Sequence, residues 1–299
     1  MIMRSKFAKI RPAAHIDELD FDHSFIKKAP FFIKKRYAKK FTPLGIIDTE
    51  LCGLSGYEIV FYGESAAYLE KLEDTAKYLG VCAVYFDTDM PPIHGFFVPT
   101  GFYAKLFFLE QIIDKIVKVK KIEPAGLKLI LIEEDEQITK ALLRFLYERL
   151  NYLGLILENG HELLYSGLVY EIFENSGLNL SFGQRGSYLL KEADIIINLS
   201  EDNKGYESFY KKGSSYIELS ENPAKLHDIY NKRLDILTVD KFSVDYEGSI
   251  LPLKLFELIL YLQSSSFYNF SGKKNVEENF IETENWIKYR NIRAKKLNF

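Results

Sequence analysis

Cysteine and tryptophan are nearly missing from this chain: it has two cysteines and one tryptophan in 299 residues. Cys52 and Cys82 have no CxxC partner and no metal-type spacing around them. A disulfide framework is therefore not expected, and a reducing cytoplasm suits such a composition. No stretch approaches the roughly 18 apolar residues that span a bilayer. Met1-Ile-Met-Arg-Ser-Lys-Phe7 lacks the apolar core of a signal peptide. An excess of positive charge is lacking too. The net charge of −3 provides no global basic field for nucleic acid. The chain contains no P-loop, no zinc motif and no Ser/Cys–His–acid spacing, which leaves no metal ligand set to name.

One further absence is local. Leu127-Lys-Leu-Ile-Leu-Ile132 reads as a buried parallel strand, Gln137 to Asn151 as a helix, and Leu153-Gly-Leu-Ile-Leu-Glu158 as the next strand. This is a βαβ unit, the usual frame for a dinucleotide. Glycines normally let the pyrophosphate approach the backbone at its first turn, under the positive end of the helix dipole. Here that turn is Glu133-Glu134-Asp135-Glu136. At an effective dielectric near 20, one like charge at about 4 Å costs a phosphate on the order of 4 kcal/mol. The same carboxylates suit a helix N-terminus, so they are expected to cap the helix and take the anion's electrostatic place. Clustered hard oxygens also suit Mg²⁺ or Ca²⁺.

What is present is an ordinary globular composition, 47% hydrophobic and 27% charged, on a chain long enough for two domains. Aromatics are plentiful at 15%, which leaves a homo-oligomer open. Residues 1–42 carry eleven Lys/Arg against four Asp/Glu. They read as a solvated basic segment with a short helix near 31–40, or as an arm for nucleic acid or a lipid surface. Tyr57–Tyr62, Ala66–Leu79 and Val81–Phe86 form a first β-α-β unit, with Gly80 ending its helix. A long apolar helix is expected from Phe102 to Lys120, and a domain boundary at 122–126.

From 127 onward strands recur every 20–25 residues or so: after the first two, Leu178–Phe182, Ala193–Asn198, Ser215–Leu219 and Leu234–Val239. Asn222-Pro223 signals a helix start. Six strands alternating with helices predict a doubly wound parallel sheet, Rossmann-like, preceded by a smaller α/β domain. The expected domains are 1–122, 123–266, and a C-terminal helix at about 275–296 within 267–299, returning to the first domain.

Candidate site residues lie at strand ends. Glu158 ends the second strand 24 residues beyond Glu134, where a ribose-binding acid would sit; Glu158-Asn-Gly160 reads equally as a turn. Gly183, Arg185 and Gly186 follow the third strand and could hold an anion. His94, oriented by Asp89, could serve as a general acid or base in a cleft between the domains.

The stretch Glu192-Ala-Asp-Ile-Ile-Ile-Asn198 and the block Lys212–Pro223 resemble segments of the shikimate dehydrogenase-like, two-domain Rossmann proteins. Asp87-Thr-Asp89 is similar to that family's Asn-Thr-Asp. The resemblance implies an NAD(P)-dependent oxidoreductase with a small domain first. The family's glycine loop, catalytic lysine and serine-containing substrate motif have no counterpart here. A second resemblance, of residues 129–136 and 158–162, is to the receiver domain of response regulators. It implies a Mg²⁺ scaffold at Glu134 and Asp135, with Asn198 at the phosphoacceptor position and Lys241 as the lysine. The leading expectation is a Rossmann-like protein that binds a small metabolite or a protein partner without the usual NAD(P) site. The alternatives are an oxidoreductase with an altered cofactor site and the receiver-like scaffold.

Overall fold

The computed structural model describes residues 6–86, 93–158, 160–202, 205–220 and 222–297. The chain divides into two compact units, Met1–Pro99 with Glu257–Ser265, and Thr100–Phe256 with Ser266–Phe299. The expected boundary at 122–126 falls inside the second unit.

The first unit begins with β1 (Lys6–Pro12), α1 (Ser24–Lys27) and α2 (Phe31–Phe41). A hairpin of β2 (Gly45–Leu51) and β3 (Leu54–Phe61) follows, then α3 (Leu69–Tyr78) and β4 (Val81–Phe86). The strands form one mixed sheet in the order β2-β3-β1-β4. Strands β1 and β2 are additions to the sequence reading. The edge strand β2 leaves Ile46 and Ile47 exposed, so it lacks the alternation of a half-buried strand. Its turn is Cys52-Gly53, both at positive φ, the geometry of a two-residue hairpin with an unusual first residue.

The second unit opens with α4 (Phe102–Leu106) and α5 (Leu109–Lys120), where one helix was expected. Then come β5 (Lys128–Ile132), α6 (Glu136–Leu146), β6 (Tyr152–Ile156), α7 (Ser166–Ser176), β7 (Ser181–Gly183), α8 (Tyr188–Glu192) and β8 (Ile195–Asn198). They are followed by β9 (Ser215–Glu218), α9 (Pro223–Lys232) and β10 (Leu237–Val239). These strands make a parallel sheet in the order β10-β9-β8-β5-β6-β7. Counted within the sheet this is 3-2-1-4-5-6, the doubly wound Rossmann order; the receiver-type sheet is 2-1-3-4-5. The fold is therefore Rossmann-like α/β, as the six strands alternating with helices implied. Ile130, Ile132, Ile156, Ile196 and Tyr216 fill one layer of its core against Leu189, Leu190 and Ile229.

The end of the chain departs from expectation. Strands β11 (Ser243–Tyr246) and β12 (Ser249–Pro252) pair with a last strand, β13 (Arg293–Lys295), in a separate antiparallel sheet. Between them lie α10 (Leu253–Gln263), α11 (Ser265–Ser271) and α12 (Val276–Tyr289). The last helix stops at Tyr289 because Asn291 adopts positive φ, so Ile292 belongs to the approach to β13 and not to a helical stripe. Helix α12 lies in the second unit and packs on α6, with Phe280 against Phe145 at 5.3 Å between ring centroids. Among the described residues no helix is long and apolar enough to cross a membrane.

Candidate functional site

In a sheet of this order, ligands bind beyond the C-terminal ends of the strands on either side of the reversal. Here those strands are β5 and β8. Just beyond them is a cavity of about 450 Å³, lined by Thr100, Phe102, Tyr103, Glu134, Asp135, Ile138, Leu199, Glu201 and Lys273. The acidic turn supplies one wall, the loop after β8 a second and α4 a third.

Residues 127–153 contain no glycine, and each carboxylate of the turn has its own task. Asp135 is the N-cap of α6. Its Oδ1 accepts the amides of Gln137 at 3.0 Å and Ile138 at 3.1 Å. Its Oδ2 receives Lys273, from the turn joining α11 to α12. Burial pushes this carboxyl upward, but the Lys273 ammonium and the two amides outweigh it and hold it below its usual 3.8. Glu133 turns inward with its side chain 6% exposed. It accepts Tyr165 Oη at 2.5 Å on Oε1 and meets His161 Nδ1 at 3.1 Å on Oε2. Burial, then this carboxylate, push the Tyr165 hydroxyl far above the ordinary tyrosine range, so it stays a donor. Glu136 pairs with Lys140 one turn along the helix at 2.5 Å. Exposed Glu134 reaches across the crevice and accepts the amide of Glu201 at 3.2 Å.

The amides that would receive a phosphate at α6 are thus bonded by the protein's own Asp135. Replacing Asp135 by alanine should cost about 0.5–2 kcal/mol in urea unfolding; asparagine, which keeps the cap, should cost less. Because the folded pKa lies below the unfolded one, this stability is complete above the unfolded value near 3.8. It is lost as pH falls through the lower folded value. The Asp135→Ala variant should therefore show a smaller stability loss on acidification than wild type.

Behind the loop after β8 lies a buried polar network that the sequence did not announce. Asn198 Nδ2 donates to Tyr216 Oη at 2.7 Å, and Tyr216 donates to Glu218. Glu218 also accepts the amide and hydroxyl of Ser220 at 2.9 and 2.7 Å, and lies 3.4 Å from Lys225 Nζ. Lys225 in turn bonds the carbonyl of Ser200, between the cavity-lining Leu199 and Glu201. Burial pushes the Glu218 carboxyl up, with Lys225 opposing. Burial pushes the Lys225 ammonium down, with Glu218 opposing. The available signal was an acid ending a strand, Ser215-Tyr-Ile-Glu218, that is buried at every position.

Asn198, at the phosphoacceptor position of the receiver resemblance, is committed to this network; its Oδ1 accepts the amide of Ser200 at 3.1 Å. Lys241 is exposed. Among the described residues no group of three or more His, Cys, Asp or Glu is placed to hold a metal ion.

The strand-end candidates sit at the other half of the sheet. Glu158 is exposed beyond β6, in a turn closed by the His161 amide on its carbonyl at 3.2 Å. Gly183 pairs with Ile156 at the end of β7. Arg185 is exposed, and a Cβ on Gly205 would come within 3.0 Å of its Nη2. Gly186 has a φ of +82° beside the Phe209 ring. Strand pairing brings Glu158 near Gly183, but none of these four lines the cavity. His94 is exposed in the first unit. Asp89, with the rest of Asp87–Asp89, lies outside the described residues.

No protein-family model matches the chain, and no curated protein matches it. The solved structures it resembles include several dehydrogenases. One is the shikimate 5-dehydrogenase of Listeria monocytogenes in complex with shikimate and NAD, at 10% identity, covering 93% of this chain and 96% of that one, with a TM-score of 0.36. Another is the L-tryptophan dehydrogenase of Nostoc punctiforme, at 14% identity, 96% and 80% coverage and a TM-score of 0.40. A third is the quinate dehydrogenase of Corynebacterium glutamicum in complex with NAD, at 10% identity, 93% and 98% coverage and a TM-score of 0.34. Shikimate dehydrogenase-like structures are thus among the neighbours. At such scores the similarity concerns the order of elements and leaves the chemistry to the residues.

Proposed function

We propose that the second unit binds a small molecule in the cavity beyond β5 and β8, without the pyrophosphate of a dinucleotide. One observation carries the reading: Asp135 bonds the α6 amides and is itself fixed by Lys273. A phosphate in that place would have to displace a carboxylate from both partners and then sit beside Glu134. The cavity wall carries three carboxylates and one ammonium, with Phe102 and Tyr103 opposite. Such a lining disfavours anions and suits a ligand with an amino group or several hydroxyls, and with an apolar face for the rings.

Thermal denaturation against a panel of NAD⁺, NADP⁺, ATP, S-adenosylmethionine, Mg²⁺ and small amines and polyols tests this. A ligand at about 100 times its Kd adds roughly 2.7 kcal/mol, a shift of several degrees for a chain of this size. The expected shift is with an amine or polyol and none is expected with NAD⁺ or NADP⁺. A shift with either nicotinamide cofactor would transfer the case to the oxidoreductase with an altered cofactor site.

A further inference from the structure

The leading segment of the first unit presents a surface that small-molecule binding leaves unused. From Ser24 to Phe41 the sequence holds seven Lys/Arg and no Asp or Glu. Lys34 is buried and paired with Asp17. The other six, Lys27, Lys28, Lys35, Arg36, Lys39 and Lys40, are exposed. Among them stand three phenylalanines turned to solvent: Phe25 is 67% exposed, Phe31 58% and Phe32 70%.

This arrangement is held in place. Ala38, fully buried, seats α2 on Ile16, Leu19, Phe21 and Ile26. At 3.6 residues per turn, Phe32, Arg36 and Lys39 share the side of the helix away from Lys34 and Ala38. Three exposed large rings and six exposed cations within eighteen residues make this segment a surface of the kind that marks an interaction site. Two copies of the chain meeting face to face here would oppose two sets of six cations, which disfavours self-association. Cations alone would also suit nucleic acid. Residues 24–41, however, contain no Asn, Gln, His or Thr, and Ser24 and Tyr37 are their only polar side chains besides Lys and Arg. Exposed apolar rings on and beside a short basic helix are instead the composition of a segment that lies in a lipid interface.

We propose that this face docks on an anionic lipid surface. Phe25, Phe31 and Phe32 enter the headgroup layer, and the six surrounding cations meet the anionic headgroups.

The test is co-sedimentation of the full chain with vesicles of phosphatidylcholine alone and of phosphatidylcholine mixed with phosphatidylserine. Binding is expected to the mixed vesicles, and it should weaken as salt is raised. Reversing four charges (Lys35→Glu, Arg36→Glu, Lys39→Glu and Lys40→Glu together) should weaken it at least about tenfold. Replacing the three rings (Phe25→Ser, Phe31→Ser and Phe32→Ser together) should weaken it about tenfold as well. Both variants alter exposed side chains, so an unchanged unfolding temperature verifies that each is folded. Absence of binding to the mixed vesicles would overturn the proposal. So would a triple phenylalanine variant that binds as wild type, because the rings would then have no part. Capture of a single-stranded RNA oligonucleotide in preference to the vesicles would also overturn it and assign the surface to nucleic acid.

Discussion

Replacing Lys225 by methionine should cost about 3–5 kcal/mol of stability, the usual penalty for removing one partner of a buried ion pair. Lys225 and Glu218 are both buried, 5% and 1% exposed, and the ammonium also holds the carbonyl of Ser200. Without it, Glu218 must either stay charged and buried with that counter-ion gone or take up a proton. The Ser200 carbonyl would also lose its donor. A pair of this kind gives little net stability against apolar residues of similar volume. The double variant Glu218→Gln with Lys225→Met should therefore recover most of the loss. Urea unfolding of the two single variants and the double variant measures the coupling directly. A loss in the double variant equal to the sum of the two single losses would show that the two side chains act separately.

Phe280→Ala should cost about 3–5 kcal/mol. The ring is 1% exposed and lies 4.8 Å from Phe107, 5.3 Å from Phe145 and 5.6 Å from Phe270, centroid to centroid. It ties α12 to α6 and to the segment after α4, and the turn between α11 and α12 carries Lys273. Loosening this cluster should free Lys273 from Asp135, so a ligand held in the cavity should be lost together with stability. The check is unfolding by urea combined with the same ligand titration at a temperature where the variant is still folded. Lower stability with unchanged affinity would separate the aromatic cluster from the cavity.

These two sites differ in how far the sequence announced them. The sheet was legible because its central strands are covered on both faces. Leu129–Ile132 and Ile195–Ile197 are apolar and buried at every position, as central parallel strands covered by helices should be. The capping role of the acidic turn was legible too, since Asp before a helix has a local partner in the helix amides. Lys273 was not, because its partner Asp135 lies 138 residues away in sequence. The buried Glu218–Lys225 pair left only the oddity of an acid ending a buried strand. The C-terminal helix was read too long because Ile292 falls in helical phase with Ile281, three turns before it; the left-handed turn at Asn291 that ends the pattern has no strong sequence signal. Strand β2, with Ile46 and Ile47 exposed at an edge, offered no period-2 pattern.

The central claim is that the protein's own carboxylate stands where a dinucleotide's pyrophosphate would bind. A fluorescence titration of NADH and NADPH with the purified protein tests it most directly. The account predicts a flat response through micromolar cofactor. A saturable change in nicotinamide fluorescence, abolished by an excess of the oxidised cofactor, would contradict it.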